Sequence, residues 1–332
     1  MRSPEPRPGR FNHDAARFFG TEGCDYIIIC LIFIGKPEMS RWEAIAQAIA
    51  AATGAPFAPK QERRAGGGCI NRAVVLEGDG RRYFVKLNDV AGLCMFEAET
   101  EGLRELAAAR AVRVPEPICC GTADGAAYLV LEYLALGRGD QRTQERLGHG
   151  LAQMHRVTSQ TFGWRRDNTI GSTPQINTPG ADWIEFWRRH RLGFQLELAA
   201  RNGYGGRLQH QGEQLLERLA AFFADYTPVP ALLHGDLWGG NAAATGDGEP
   251  VIFDPAVYYG DREADLAMTE LFGGFSAGFY AAYRESWPLD AGYAVRKTLY
   301  NLYHVLNHLN LFGGGYGAQA QQMMEALLGE VR

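Results

Sequence analysis

His234-Gly235-Asp236-Leu237-Trp238-Gly239-Gly240-Asn241, followed by Ile252-Phe253-Asp254-Pro255, is the stretch on which the reading of this chain turns. An Asp, an Asn five residues on and a second Asp thirteen residues later place three oxygen-bearing side chains close together in sequence. Phosphoryl transfer from ATP needs such a set: a carboxylate near the attacking hydroxyl and hard oxygen ligands for Mg²⁺. Taken singly, each residue reads as a loop turn or a helix cap. Their joint spacing, with a hairpin turning at Thr245-Gly246-Asp247-Gly248, points instead to Asp236 as the catalytic carboxylate and to Asn241 and Asp254 as metal ligands.

Upstream of this stretch the chain mixes strands and helices. Ala73–Leu76 and Tyr83–Leu87 read as strands around the turn Glu77-Gly78-Asp79-Gly80. A helix is expected from about Leu93 to Ala109, ended by Val114-Pro115-Glu116-Pro117, and two more strands over Ile118–Gly121 and Ala127–Tyr133. Lys86 sits in the apolar strand Tyr83-Phe84-Val85-Lys86-Leu87. Such a lysine is either an edge residue or a contact to ATP phosphates, and in the second role it needs a helix glutamate to hold it. Glu97, Glu99 and Glu101 are candidates. Glu97 and Glu101 share one helix face, whereas Glu99 lies on another with Leu103, and burial there favours Glu99.

Gly66-Gly67-Gly68 precedes the first strand and matches neither common phosphate-loop pattern. Its place ahead of the hairpin that ends in Lys86 nevertheless lets Gly67 and Gly68 lie over the phosphates with their backbone N–H groups. Cys69 beside them is either a half-buried packing residue or a redox-sensitive thiol near a basic site. Asp265, on a helix after Gly260-Asp261-Arg262-Glu263, is either a carboxylate at a helix N-terminus or, as we favour, a support that bonds the backbone around Asp236.

The second half reads as mainly helical, with helices over Arg142–Val157, Trp183–Ala200, Gly212–Ala224, Glu263–Phe272 and Ala294–Phe312. An α+β architecture of two lobes follows: a small β-rich lobe over 39–135 and a larger helical lobe over 136–332. The boundary falls in Leu136-Gly137-Arg138-Gly139-Asp140, which reads as a linker.

Composition fits this reading. The 332 residues are 46% hydrophobic and 21% charged, with a formal net charge of −5 and no basic run, which argues against a nucleic-acid partner. Six cysteines without metal spacing suit a reducing cytoplasm. The longest apolar run, Ile27–Ile34, is far short of the roughly 20 residues a membrane span needs. Residues 1–38 are expected to be a disordered or non-native extension, because Met39 precedes a clean helix start with Ser40 as N-cap and Glu43 three residues on.

Taken together the motifs resemble the fructosamine kinase (ketosamine-3-kinase) family of the protein-kinase-like and aminoglycoside-phosphotransferase-like superfamily. The resemblance runs from about Met39 to the C-terminus. It is carried by Gly67-Gly68-Cys69-Ile70, Phe84-Val85-Lys86, Phe96-Glu97-Ala98-Glu99, Leu131-Glu132-Tyr133-Leu134, Pro174-Gln175-Ile176-Asn177, Arg189-His190-Arg191-Leu192, the Asp236 and Asp254 stretches, Tyr259-Gly260-Asp261-Arg262-Glu263 and Leu271-Phe272-Gly273-Gly274-Phe275. It implies a two-lobed protein-kinase-like fold and ATP-dependent phosphorylation of the C3 hydroxyl of a ketosamine, free or on a glycated protein, by a monomer or homodimer. It further implies Asp236 as proton acceptor, Mg²⁺ on Asn241 and Asp254, Lys86 and Glu99 at the phosphates, and Glu132, Tyr133 and Leu134 as the hinge that binds adenine through backbone groups. Trp238 is either a packing residue or an aromatic platform for the sugar-amine. Gly239 departs from the family, which usually has Ser after the Trp, and is expected to loosen the loop slightly. A different phosphotransferase of the superfamily, acting on an aminoglycoside or choline, and a nucleotide-binding pseudokinase are the alternatives. The pseudokinase reading would require the loss of Lys86, Asp236, Asn241 or Asp254, and all four are present.

Overall fold

In the computed structural model, residues 40–65 and 71–331 are described. The expectations for residues 1–38 and for Gly66, Gly67, Gly68 and Cys69 lie outside them. Helix α1 (Arg41–Thr53) starts as its sequence dictates: the Ser40 hydroxyl accepts from Glu43 N, and Glu43 Oε2 accepts from Ser40 N. Five antiparallel strands follow, β1 (Gln61–Arg64), β2 (Arg72–Gly78), β3 (Arg81–Asp89), β4 (Pro117–Ala123) and β5 (Ala126–Glu132), in the order β1-β2-β3-β5-β4. Helix α2 (Leu93–Ala108) lies between β3 and β4 in sequence.

Strand parity sets the two sheet faces. Tyr83, Val85 and Leu87 of β3 pack with Ile45 and Ile49 of α1 in one apolar cluster. Phe84 and Lys86 alternate with them, and Phe84 joins the main core that holds Phe96, Leu103 and Leu106 of α2. Lys86 therefore faces α2 by its place in the alternation. It pairs across β2 with Ala73 and across β5 with Leu129, so β3 is an interior strand and Lys86 is no edge residue.

The expected linker is partly a strand. Leu136–Gly137 pairs with Ala242–Thr245, which pairs in turn with Pro250–Ile252, so the chain enters the larger lobe stitched to the hairpin between Asn241 and Asp254. Helix α3 (Gln141–His155) is capped by Asp140. The expected helix over Trp183–Ala200 is three pieces, Trp183–Trp187, a π-turn over Arg188–Gly193, and Phe194–Arg201. The helix expected at Gly212 begins at Arg207, and Leu219–Phe223 tightens to 3₁₀ geometry. Arg262–Leu271 and the 20-residue helix Tyr293–Phe312 match their periodicity closely. Two helices, Ala277–Ser286 and Tyr316–Glu330, carried no clear signal because glycine runs at Gly273-Gly274 and Gly313-Gly314-Gly315 flank them.

The main core is continuous across the lobes. Leu129 and Leu131 of β5 and Leu103 and Leu106 of α2 belong to the cluster that holds Leu151, Trp187 and Tyr300. Among the described residues no helix is long and apolar enough to cross a membrane.

Candidate active site

Strand Ala231–Leu233 leads into the Asp236 loop. Gly235 has φ +82°, and a Cβ there would sit 2.0 Å from the Ala256 carbonyl oxygen. Only glycine lets this loop lie backbone-on-backbone against the segment after Asp254. Ala256 N donates to His234 O at 2.9 Å across the same contact. Asp265, buried on the helix Arg262–Leu271, accepts from His234 N at 2.7 Å and from Gly235 N at 2.8 Å. Burial alone would push its carboxyl up. Bonds from His155 and the Gly235 amide outweigh that and hold it below the usual range. The support role favoured for Asp265 is thus the geometry the structure adopts.

His155 is a partner that sequence reasoning passed over. Its Nε2 lies 3.2 Å from Asp265 Oδ2 and its Nδ1 2.8 Å from the Tyr283 hydroxyl, which accepts from Arg262. The available signal was a histidine on the same face of α3 as Leu147, Leu151 and Met154, since a polar ring on an apolar face requires a buried partner. His234 is fully buried too. Its Nδ1 accepts from Asp236 N at 3.3 Å and its Nε2 faces Phe253 O at 3.0 Å, which fits the neutral Nε2–H tautomer; burial pushes its pKa down.

Asp236, Asn241 and Asp254 converge. Asn241 Nδ2 donates to Asp236 O at 2.9 Å and to Asp236 Oδ2 at 3.2 Å, and lies 3.5 Å from Asp254 O. Asp254 is held at φ +56°, a strained value for a non-glycine residue. Lys86 Nζ donates to Glu99 Oε1 at 2.5 Å and to Asp254 Oδ1 at 2.6 Å. One ammonium therefore links the smaller lobe's sheet, α2 and the Asp254 loop. Burial would lower the Lys86 pKa, but the two carboxylates reverse this and raise it. The Glu99 carboxyl is raised, chiefly by burial, with Lys86 opposing. The Asp236 carboxyl is pushed up to about 7 by burial and then by the Asp254 charge.

The donors present fit Mg²⁺. With its amide nitrogen turned to Asp236, Asn241 would offer its carbonyl oxygen as a ligand, and the half-exposed Asp254 carboxylate would supply a second. Among the described residues no group of three or more His, Cys, Asp or Glu is placed to hold a metal. Mg²⁺ commonly takes only one or two protein oxygens and completes its shell with phosphates and water.

Trp238 is 39% exposed; its ring meets Phe272 edge-on at 6.2 Å and lies over Gly240. The loop at Gly239 is tighter than expected. Gly239 N donates to Gly273 O at 3.2 Å, and a Cβ at 239 would lie 2.9 Å from both Gly273 O and Gly274 Cα. Glycine here permits a close crossing of two loops. In the segment Glu132–Leu134, Glu132 N already donates to Glu116 O at 2.8 Å and its carboxylate takes Arg113 at 2.5 Å. The Tyr133 ring lies under the Arg82 guanidinium at 4.3 Å.

The chain is similar to known proteins. The fructosamine kinase family model matches residues 41–330. A probable ketoamine kinase of Synechocystis sp. is 50% identical over 288 residues, covering 86% of this chain and 97% of its own. The chloroplastic protein-ribulosamine 3-kinase of Arabidopsis thaliana is 47% identical, covering 79% of this chain and 81% of its own. The crystal structure of a putative fructosamine-3-kinase from Haemophilus somnus superposes with a TM-score of 0.81 at 29% identity, covering 87% of this chain and 98% of its own.

Proposed function

The chain belongs to the fructosamine kinase family, and we propose from that premise how its residues phosphorylate the C3 hydroxyl of a ketosamine with ATP. The observation that carries the reading is the convergence of Glu99, Lys86, Asp254, Asn241 and Asp236, joined by contacts of 2.5–3.5 Å. Asp236 accepts the proton of the attacking hydroxyl, and its raised pKa suits a base working near neutrality. Lys86, held by Glu99, releases Asp254 and turns to the ATP phosphates. Asn241 and Asp254 would hold Mg²⁺, which when bound neutralises charge on the phosphates. Because Glu132 N is already committed to Glu116, a backbone donor for adenine comes from Tyr133 or Leu134. Trp238, exposed beside Asp236, offers its ring face to the sugar-amine.

The product has its own chemistry. Hydroxide is a poor leaving group from C3 and phosphate a good one, so the phosphorylated ketoamine loses phosphate by elimination to an imine, and water hydrolyses that imine to a carbonyl and the free amine. Deglycation of free adducts or of proteins is the outcome. The unpaired thiols Cys94, Cys119 and Cys120 suit a reducing compartment, and the proposal places the enzyme in the cytoplasm as a monomer or homodimer without nucleic-acid or membrane partners.

The deciding experiment is a panel of ribulose- and fructose-lysine adducts against aminoglycosides, with ³¹P NMR of the product. A C3 phosphate on a ketosamine is expected. Turnover confined to aminoglycosides would overturn the reading.

A further inference from the structure

Helix α2 has a second acidic stripe besides the face that carries Glu99. Glu97, Glu101 and Glu105 recur every four residues along it. Three like charges at that spacing repel one another and destabilise an isolated helix. Here two arginines from one loop of the larger lobe meet all three. Arg165 donates to Glu101 Oε2 at 2.8 Å and to Glu105 Oε2 at 2.9 Å. Arg166 donates to Glu101 Oε1 at 2.6 Å, to Glu97 Oε2 at 3.3 Å and to the Cys94 carbonyl at 3.3 Å. The Tyr259 hydroxyl, five residues past Asp254, donates to Glu105 Oε1 at 2.8 Å.

The arginines stand on a fixed base. Trp164 beside them is 4% exposed, and the Arg165 guanidinium lies 4.9 Å from its ring centre. Gly163 and Tyr259 exchange two backbone hydrogen bonds at 2.9 and 2.8 Å. The buried Asn177 donates to Arg166 O at 3.2 Å and, through its backbone N, to Asp167 Oδ1 at 2.7 Å. Underneath, α2 is already in contact with the Asp254 segment, since a Cβ on Gly102 would lie 3.0 Å from Val257 Cγ2.

We propose that Arg165 and Arg166 are positioning residues: they clamp α2 to the larger lobe with Glu99 in register with Lys86, and so set the nucleotide site. Glu99 is then docked by the chain itself, with no modification or partner needed to bring α2 in. Single exposed ion pairs contribute little, but Glu101 is shared by both arginines and the three carboxylates would otherwise repel. Arg165 is 54% exposed and Arg166 27%, so the clamp is open to salt and weakens as ionic strength rises.

The nucleotide arm of the test rests on Lys86 contacting ATP; the backbone-exchange arm does not. Affinity for a fluorescent ATP analogue and amide exchange over Leu93–Ala108 are measured for wild type, for R165A/R166A and for R165K/R166K. Both are read at low salt and at about 1 M salt, where the Debye length is roughly 3 Å. At low salt the alanine pair is expected to bind nucleotide about tenfold more weakly, the change that about 1.4 kcal/mol produces. Its α2 amides should exchange faster while the Tyr293–Phe312 helix is unchanged. The lysine pair should recover most of the loss, and at high salt wild type should fall toward the alanine pair. Unchanged α2 exchange in the alanine pair would overturn the clamp. So would a lysine pair as weak as the alanine pair, or a wild-type advantage that survives 1 M salt. Faster α2 exchange with unchanged nucleotide affinity would keep the contact between α2 and the larger lobe and overturn its role in setting the nucleotide site.

Discussion

At the scale of single residues, Asp236 combines a catalytic role with a cost to the fold. Its carboxyl moves from an ordinary 3.8 to about 7, chiefly because it is desolvated. The folded protein then holds this proton more tightly than the unfolded chain does. Between pH 3.8 and about 7 folding takes up a proton, so this group's contribution to stability falls as pH rises through that window. At pH 8 the charged Asp236 costs the metal-free fold on the order of 1–4 kcal/mol. D236N is therefore expected to cut kcat by about 10²–10⁴ and to raise Tm in EDTA at pH 8, with little gain at pH 4. Turnover and calorimetry on one preparation check both; wild-type turnover in D236N would remove Asp236 from the mechanism. Trp238 separates differently. With a half-exposed ring, W238A should leave Tm nearly unchanged and raise KM for the ketosamine by roughly fivefold, as loss of a stacking surface worth about 1 kcal/mol would do. A variant that keeps its KM and loses only Tm would restrict Trp238 to packing.

At the scale of elements, parity and capping were readable in the sequence and close approaches were not. The alternation Tyr83-Phe84-Val85-Lys86-Leu87 marks which side chains share a face, and Ser40 with Glu43 marks a helix start. Both are local chemistry: the helix start appears as read, and the alternation decides which strand side chains meet α1. The π-turn in Arg188–Gly193 and the pairing of Leu136–Gly137 with Ala244–Thr245 depend on partners distant in sequence. So does the crossing of Gly239 with Gly273 and Gly274. As a bare glycine beside Trp238, Gly239 reads as slack; with the second loop present it is a point of contact. G239S should force that loop aside and cost about 1–3 kcal/mol. G274A should cost at least as much, because residue 274 has φ +104° and its Cβ would lie 2.6 Å from Gly239 Cα. Chemical denaturation measures both, and a G239S protein as stable as wild type would show that the crossing yields easily.

At the scale of the whole molecule, the two lobes named from sequence are joined more closely than a linker implies. The main core runs from β5 and α2 into the helical lobe, and Lys86 bonds a helix of one lobe and a loop of the other at once. The motif spacing foreshadowed Lys86 meeting a glutamate; its second bond, to Asp254, came only with the fold. Lys86 is 6% exposed, and the Glu99 side chain 10%. Removing the ammonium would leave the Glu99 charge buried without a partner, which costs about 3–5 kcal/mol. Glu99 can relieve this by taking up a proton, and its carboxyl is already raised by burial. The variant's folded state therefore binds a proton that the unfolded state releases, and its stability deficit grows as pH rises through the Glu99 range. K86M, measured in EDTA, should lose on the order of 5–10 °C in Tm at pH 8 and distinctly less at pH 5. The double variant K86M/E99Q should recover much of the pH 8 loss without recovering turnover. A K86M deficit equal at both pH values would mean that the bond to Asp254, rather than the buried charge of Glu99, is what Lys86 contributes to holding the lobes together.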